Sequence, residues 1–301
     1  MGLSVNLAGL QLEHPLMNAA GICKTLYDVR KLCRSATAAI MVGSMTMEGR
    51  EVNIGNVYWT GPAFSLNSLG LPNGGAEYYR EHLPAMIDIA HMEEHKPLFV
   101  SIAGFSPEEY AELAEIALNA GADGTELNLG CPNVWRDGIQ KRIACFDPLL
   151  VAEILKRVEE RVGKDARIFV KISPFSDPFA LAEIAHVIGE AEIVKAVTAV
   201  NTFPNAFAFD ESGKPRITPA GGLAGLAGPA MKPIGLGQVR QLRALLPERI
   251  QIIGVGGISD WADAQEYCRA GADAVQIGTA FLNEGPRIFG RLLTDAVDFE
   301  W

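Results

Sequence analysis

The cysteine in Gly130-Cys131-Pro132 stands just past an apolar run and between two asparagines, Asn128 and Asn133. Buried cysteine is usually inert core filler. In a loop beside two amides it has a second reading. There the thiol would face a ligand rather than the core. Each amide in turn offers a donor and an acceptor to a planar, amide-bearing ligand. Cys23, Cys33, Cys145 and Cys268 have no such neighbours and read as structural, although Cys145 shares the long loop that follows Cys131. No two cysteines have C-x-x-C spacing. The odd, scattered set indicates neither a zinc site nor a disulfide framework, and suits a reducing cytosol.

Two other features carry charge chemistry. Lys171 ends the apolar run Ile168-Phe169-Val170-Lys171-Ile172. It either snorkels to the surface or places a cation where a bound ring gains negative charge. The turns Gly254-Val255-Gly256-Gly257 and Gly278-Thr279 follow two further apolar runs. Each could be only a tight turn. Two in succession expose backbone N–H groups of the kind that cradle phosphate.

Eight short apolar runs must position these groups: Leu16–Ala19, Ala39–Val42, Leu98–Ala103, Gly124–Leu129, Arg167–Ile172, Lys195–Val200, Ile250–Gly254 and Ala274–Gly278. They are apolar on both faces, as parallel strands covered on both sides are. Amphipathic segments separate them. Ser106-Pro107-Glu108-Glu109, Asp147-Pro148, Asp177-Pro178 and Asp260 read as helix starts, and Gly121 and Gly271 as stops. The pattern predicts an α/β fold, a (β/α)₈ TIM barrel forming one domain over 1–301; a doubly wound open sheet is the runner-up. Val5–Leu12 alternates around Ala8-Gly9 and predicts a small N-terminal hairpin closing the barrel's bottom. The glycine-rich connection from Asn205 to Pro233 is too long for a structureless loop and reads as functional.

Composition excludes several classes. The 301 residues carry a net charge of −10 and no Lys/Arg run, which argues against nucleic acid. No apolar stretch approaches the ~20 residues of a transmembrane helix. The N-terminus lacks the shape of a signal peptide, and Asn6 breaks the myristoylation pattern. A cytoplasmic protein acting on a small molecule is expected.

Taken together, Asn128-Leu-Gly-Cys-Pro-Asn133, Asn67-Ser-Leu-Gly-Leu-Pro-Asn73, Asn18-Ala-Ala-Gly21, Val170-Lys171, Val200-Asn201-Thr202, Ile253-Gly-Val-Gly-Gly257 and Gln276-Ile-Gly-Thr-Ala280 resemble the soluble, class 1 dihydroorotate dehydrogenases over nearly the whole chain. The resemblance implies FMN as cofactor, no metal, and oxidation of dihydroorotate to orotate in pyrimidine biosynthesis. It implies FMN contacts from Ala19, Ala20, Gly21, Ser44, Asn128, Lys171, Val200, Gly228, Gly256, Gly257, Gly278 and Thr279. It implies substrate contacts from Asn67, Leu69, Gly70, Leu71, Asn128, Asn133, Asn201 and Thr202. Cys131 matches the family's proton-abstracting base, a thiol that its site is expected to lower somewhat from an ordinary pKa of about 8.5, and Val134–Phe146 matches its lid. A homodimer is implied. The electron acceptor stays open. The NSLGLPN segment with Tyr78-Tyr79 resembles the fumarate-using enzymes. Lys232-Pro233-Ile234 and Ala272-Asp273-Ala274-Val275 resemble those that pass electrons to an iron–sulfur/FAD subunit.

One departure stands out. The family usually carries a lysine at the end of the second strand, where this chain has Gly43 in Ile40-Met-Val-Gly-Ser-Met-Thr46. Lys24, Arg136, Lys141 and Arg142 are the candidates to replace that charge, and a lysine restored at Gly43 is expected to tighten binding of a carboxylate. Without a replacement, the substrate is another dihydropyrimidine or cyclic amide. A non-catalytic flavin-binding paralogue, and a flavin-free barrel lyase using Lys171, complete the alternatives. That lyase or isomerase reading needs a Schiff-base lysine, which Lys171 could be, or paired carboxylates at strand ends; Glu126 is the only acid near a strand end, and it reads as pointing outward.

Overall fold

Apolar runs flanked by capped helices fold here as the sequence pattern predicts. The computed structural model describes residues 3–93, 95–136 and 139–296. Its central sheet consists of β1 (Leu16–Asn18), β2 (Ile40–Met45), β3 (Leu98–Ile102), β4 (Gly124–Asn128), β5 (Ile168–Ile172), β6 (Val194–Ala199), β7 (Gln251–Val255) and β8 (Ala274–Ile277). All neighbours are parallel and run in chain order from β2 to β8, with β1 beside β8. Closure falls between β1 and β2. One parallel bridge joins Met17 to Ala39. Beside it the Asn18 side chain donates from Nδ2 to the Met41 carbonyl at 2.7 Å and accepts from the Met41 N–H at 3.0 Å. A side-chain amide thus stands in for ladder bonds at the seam. The fold is the closed (β/α)₈ barrel, not the open doubly wound sheet.

The helix starts read from sequence are the observed caps. The Ser106, Asp147, Asp177 and Asp260 side chains accept from backbone N–H groups two or three residues on. They open α2 (Pro107–Asn119), α3 (Pro148–Val162), α4 (Pro178–Glu190) and α5 (Trp261–Ala270) of the outer ring. Thr25 and Asp28 form a reciprocal capping box on α1 (Leu26–Cys33). Gly271 ends α5 at φ +112, a conformation that favours glycine.

The N-terminal hairpin pairs Val5–Leu7 with Leu10–Leu12, turning through Ala8 and Gly9 at positive φ, as a tight hairpin turn requires. Its Leu7 and Leu12 pack against Met17, Met41, Phe99, Phe169 and Ile253 inside the barrel. The expected plug is therefore present.

A second sheet has no counterpart in the sequence reading. Tyr58–Thr60, Ser65–Asn67, Ala224–Ala227 and Phe203–Ala206 form four antiparallel strands. The long connection after Asn205 supplies one of them whole and part of another. Runs of three or four residues are too short to show an alternating pattern.

Candidate active site

A cavity opens at the C-terminal ends of the barrel strands, and the antiparallel sheet borders it through Tyr58, Ser65, Asn67 and Ala227. Every residue assigned above to base, substrate or cofactor lines this one cavity, from Ala19 through Cys131 and Lys171 to Thr279. Segments far apart in sequence meet because parallel strands all end on the same face.

The asparagines order one another. Asn201 Nδ2 donates to Asn128 Oδ1 at 2.9 Å, and Asn128 Nδ2 donates to Ser44 Oγ at 3.0 Å. Ser44 continues the chain to Ser101 Oγ at 2.9 Å. Across the cavity Asn133 Nδ2 donates to Asn67 Oδ1 at 2.8 Å. Tyr110 of α2 holds the Asn128 carbonyl at 2.9 Å. The Thr202 hydroxyl is buried without a partner among the described residues. An unmet polar atom in a preformed cavity is a group awaiting a ligand or water.

Two features test the fit of a phosphate-bearing, planar cofactor. Gly256 and Gly257 turn at φ +129 and +70, and a Cβ at Gly257 would lie 2.7 Å from the Lys232 nitrogen. Only glycine fits, and neither residue donates its N–H within the described residues. At the other end Lys171 donates to Gln276 Oε1 at 3.0 Å, and both line the cavity. A bare turn of donors and a buried cation fit the two negatively charged regions of a reduced flavin mononucleotide.

The comparisons agree with this geometry. A family model described as dihydroorotate dehydrogenase matches residues 2–297. Dihydroorotate dehydrogenase (fumarate) of Trypanosoma cruzi is 36% identical over 298 residues, covering 97% of this chain and 91% of the relative. The enzyme of the same name from Trypanosoma brucei brucei is 34% identical, covering 97% and 91%. Dihydroorotate dehydrogenase A (fumarate) of Lactococcus lactis subsp. cremoris is 34% identical, covering 97% and 92%. The chain belongs to the dihydroorotate dehydrogenase family. A crystal structure of Eimeria tenella DHODH in complex with ferulenol shares the fold at a TM-score of 0.84 and 21% identity, covering 98% of this chain and 84% of that one. This dihydroorotate dehydrogenase family member is thus an oxidoreductase, and the lyase alternative falls away. No helix among its described residues is long and apolar enough to cross a membrane.

Three expectations need correction in this family member. Glu126 does not point outward. It is fully buried inside the barrel, with Oε2 accepting from Thr198 Oγ1 and Gln276 Nε2, each at 2.9 Å. Strand periodicity of two contained the answer, because a strand that aims Asn128 into the barrel mouth aims Glu126 the same way. Gln276, missed as a site residue, was readable by the same argument from the Gln276-Ile-Gly278 strand end.

The Cys131 thiol is not lowered. It keeps part of its surface open, yet burial pushes its pKa above the ordinary value; the Asn133 N–H, Lys141, Arg50 and Lys171 oppose this. Lys141 is held beside the thiol, its Nζ donating to the Gly104 carbonyl at 2.9 Å and lying 4.1 Å from the Phe105 ring centroid. Sequence shows neighbours along the chain, not the desolvation a packed loop imposes.

The third correction concerns Gly43. Its φ is +108, and a Cβ there would come within 2.3 Å of the Ser101 carbonyl oxygen and 2.9 Å of the Met45 nitrogen. Both are backbone atoms, so no side chain fits this backbone. A restored lysine is expected to disrupt the site rather than tighten binding.

The replacement candidates separate clearly. Arg142 is paired with Asp147 at 2.9 Å, and Lys141 is anchored as described. The Arg136 side chain and Asp137 lie outside the described residues. Lys24 lines the cavity and makes no ion pair among the described residues. Asp28, the acid that acts on it, spends its carboxylate on the capping box and the Lys24 N–H. Burial lowers the Lys24 pKa, with Asp28 opposing.

Proposed function

We propose that this chain oxidises dihydroorotate to orotate, with FMN in the barrel-mouth cavity and Cys131 as the base. The observation that carries the reading is the meeting of Cys131, four asparagines and the Gly256-Gly257 turn on one cavity of a dihydroorotate dehydrogenase family member. When bound, FMN supplies the hydride acceptor. Gly256, Gly257, Gly278 and Thr279 would hold its phosphate. Ala19, Ala20, Gly21, Ser44, Asn128, Val200 and Gly228 would line the ring, and Lys171 would meet its pyrimidine edge. Asn67, Asn128, Asn133, Asn201 and Thr202, with Leu69, Gly70 and Leu71, would hold the substrate ring.

Cys131 takes the proton from C5 while a hydride leaves C6. Burial raises the thiol, so the thiolate fraction at neutral pH rests on the Asn133 N–H and on the cations that face it, Lys141, Arg50 and Lys171. Rate should therefore climb into the alkaline range. The lid ribbon, Trp135–Arg136 paired with Ile139–Gln140, is tied down by Gln140 Nε2 donating to the Pro132 carbonyl at 2.7 Å. It would exclude water from the reacting carbons.

Lys24 takes the place of the missing strand-end lysine as partner of the substrate carboxylate. A charge-assisted hydrogen bond contributes about 1.5–3 kcal/mol, so Lys24→Ala should weaken orotate binding by at least ~10-fold. Orotate and uracil titrations of the flavin absorbance measure this. Unchanged orotate affinity in Lys24→Ala, together with equal affinity for uracil, would favour the second reading, a dihydropyrimidine without a carboxylate. The side-chain-free backbone at Gly43 is the observation behind that alternative. The same family reading carries a cytoplasmic homodimer and fumarate as electron acceptor, the acceptor in the relatives' names. An iron–sulfur/FAD subunit is the competing acceptor, and reoxidation of reduced enzyme by fumarate separates the two.

A further inference from the structure

Directly beneath the cavity floor lies a buried carboxylate that the proposed chemistry does not use. Glu126 is fully buried, and its Oε1 has no hydrogen-bond partner among the described residues. The nearest cation, Lys171 Nζ, stands 3.7 Å from that oxygen, beyond hydrogen-bond contact. Gln276 sits between the two charges. Its Oε1 accepts from Lys171 at 3.0 Å and its Nε2 donates to Glu126 Oε2 at 2.9 Å. Thr198 Oγ1 donates to the same Oε2 at 2.9 Å. Register places Glu126 one layer below the floor, since Phe169 pairs with Glu126 and Lys171 with Asn128.

A buried ion pair kept for stability alone should be closely made and fully satisfied, because a half-satisfied one is worse than an apolar replacement. This pair is neither. Glu126 leaves an oxygen bare and holds Lys171 at arm's length through an amide, while the ammonium stays at the cavity surface. That arrangement compensates the lysine's charge while only the Gln276 amide takes one of its donors.

We propose that Glu126 is a positioning residue that, acting with Gln276 on Lys171, sets the reduction potential of the flavin bound above them. The proposal rests on the FMN reading given above. Two-electron reduction by hydride, without a further proton at the pyrimidine edge, leaves one negative charge on the ring. Lys171 favours that charge and Glu126 opposes it. The buried pair therefore holds the cofactor at an intermediate potential, at which it can take a hydride from substrate and pass electrons on.

The test uses FMN-loaded protein, with potentials from anaerobic dye-coupled titration and FMN affinities from fluorescence. Glu126→Gln should raise the affinity for reduced over oxidised FMN by at least ~10-fold, which is about +30 mV for a two-electron couple. Glu126→Asp, which keeps the charge, should stay near wild type. A purely structural role would lower melting temperature or FMN occupancy in both variants and leave the potential of the loaded protein unmoved. Should Glu126→Gln fail to fold, the same comparison is made in the Lys171→Gln background, where the unopposed carboxylate should depress the potential and adding Glu126→Gln should restore at least ~10-fold of the ratio. A loaded Glu126→Gln protein at or below the wild-type potential, or a double variant equal to Lys171→Gln alone, overturns the proposal. Wild-type protein that takes up no FMN overturns the cofactor reading beneath it instead.

Discussion

At the closed end of the barrel, the inward positions of β3, β5, β6 and β8 are Phe99, Phe169, Ala196 and Ala274, packed under Leu7 and Leu12 of the hairpin. Two residues further along the same strands, the inward positions are Ser101, Lys171, Thr198 and Gln276, all of them buried. One step of the pleat, about 6.6 Å of strand, separates an apolar plug from a charged network. Both layers are buried, the upper one as part of the cavity wall. The lower layer is held by dispersion and desolvation, the upper by hydrogen bonds that cost about as much to desolvate as they return. The barrel thus draws its stability from one end of each strand and places its chemistry at the other.

The largest expected effect breaks the lower layer. Phe169 is fully buried, its ring 5.1 Å from that of Phe99. Phe169→Ala should cost about 3–5 kcal/mol of stability, read by urea denaturation, while the folded fraction still binds FMN with the wild-type absorbance spectrum. Next comes the upper end. Cys131→Ala should slow flavin reduction by at least ~10²-fold, the usual scale for losing a general base, with its urea midpoint close to wild type. If Cys131→Ala loses as much stability as Phe169→Ala, the two ends are not separable in this way.

Much of this division is legible in the sequence. The eight strands are readable because strands buried on both faces need uninterrupted apolar runs, and the helix starts because Ser106, Asp147, Asp177 and Asp260 are local capping signals. Cys131, Lys171 and the Gly256-Gly257 turn are readable because they follow such runs. What escapes is set by contacts distant in sequence. The Asn18 seam depends on a strand 23 residues away, and the sheet bordering the cavity on four runs of three or four residues. The raised Cys131 thiol depends on burial in the folded chain. The conformation of Gly43 depends on Ser101 across the sheet; the family resemblance makes that glycine look like a lost lysine, whereas the backbone has no room for one.

The smallest expected effect sharpens the comparison from within the mouth. Lys141 favours the Cys131 thiolate, so Lys141→Gln should push the thiol further up. The base works only above its pKa. The alkaline rise in flavin reduction should therefore move to higher pH, with a severalfold loss at neutral pH and little loss at the alkaline plateau. Lys141→Arg should restore the profile. The pH dependence of iodoacetamide labelling at Cys131 checks the same shift without substrate. An identical labelling profile in Lys141→Gln and wild type would remove Lys141 from the account.

The central claim is that this cavity oxidises dihydroorotate through FMN, and anaerobic mixing tests it most directly. FMN-loaded protein is mixed with excess dihydroorotate or dihydrouracil while the flavin absorbance is followed. The account predicts complete bleaching by dihydroorotate, much slower bleaching by dihydrouracil, and formation of one orotate per flavin. A flavin left oxidised by dihydroorotate, or bleached as fast by dihydrouracil, would contradict it.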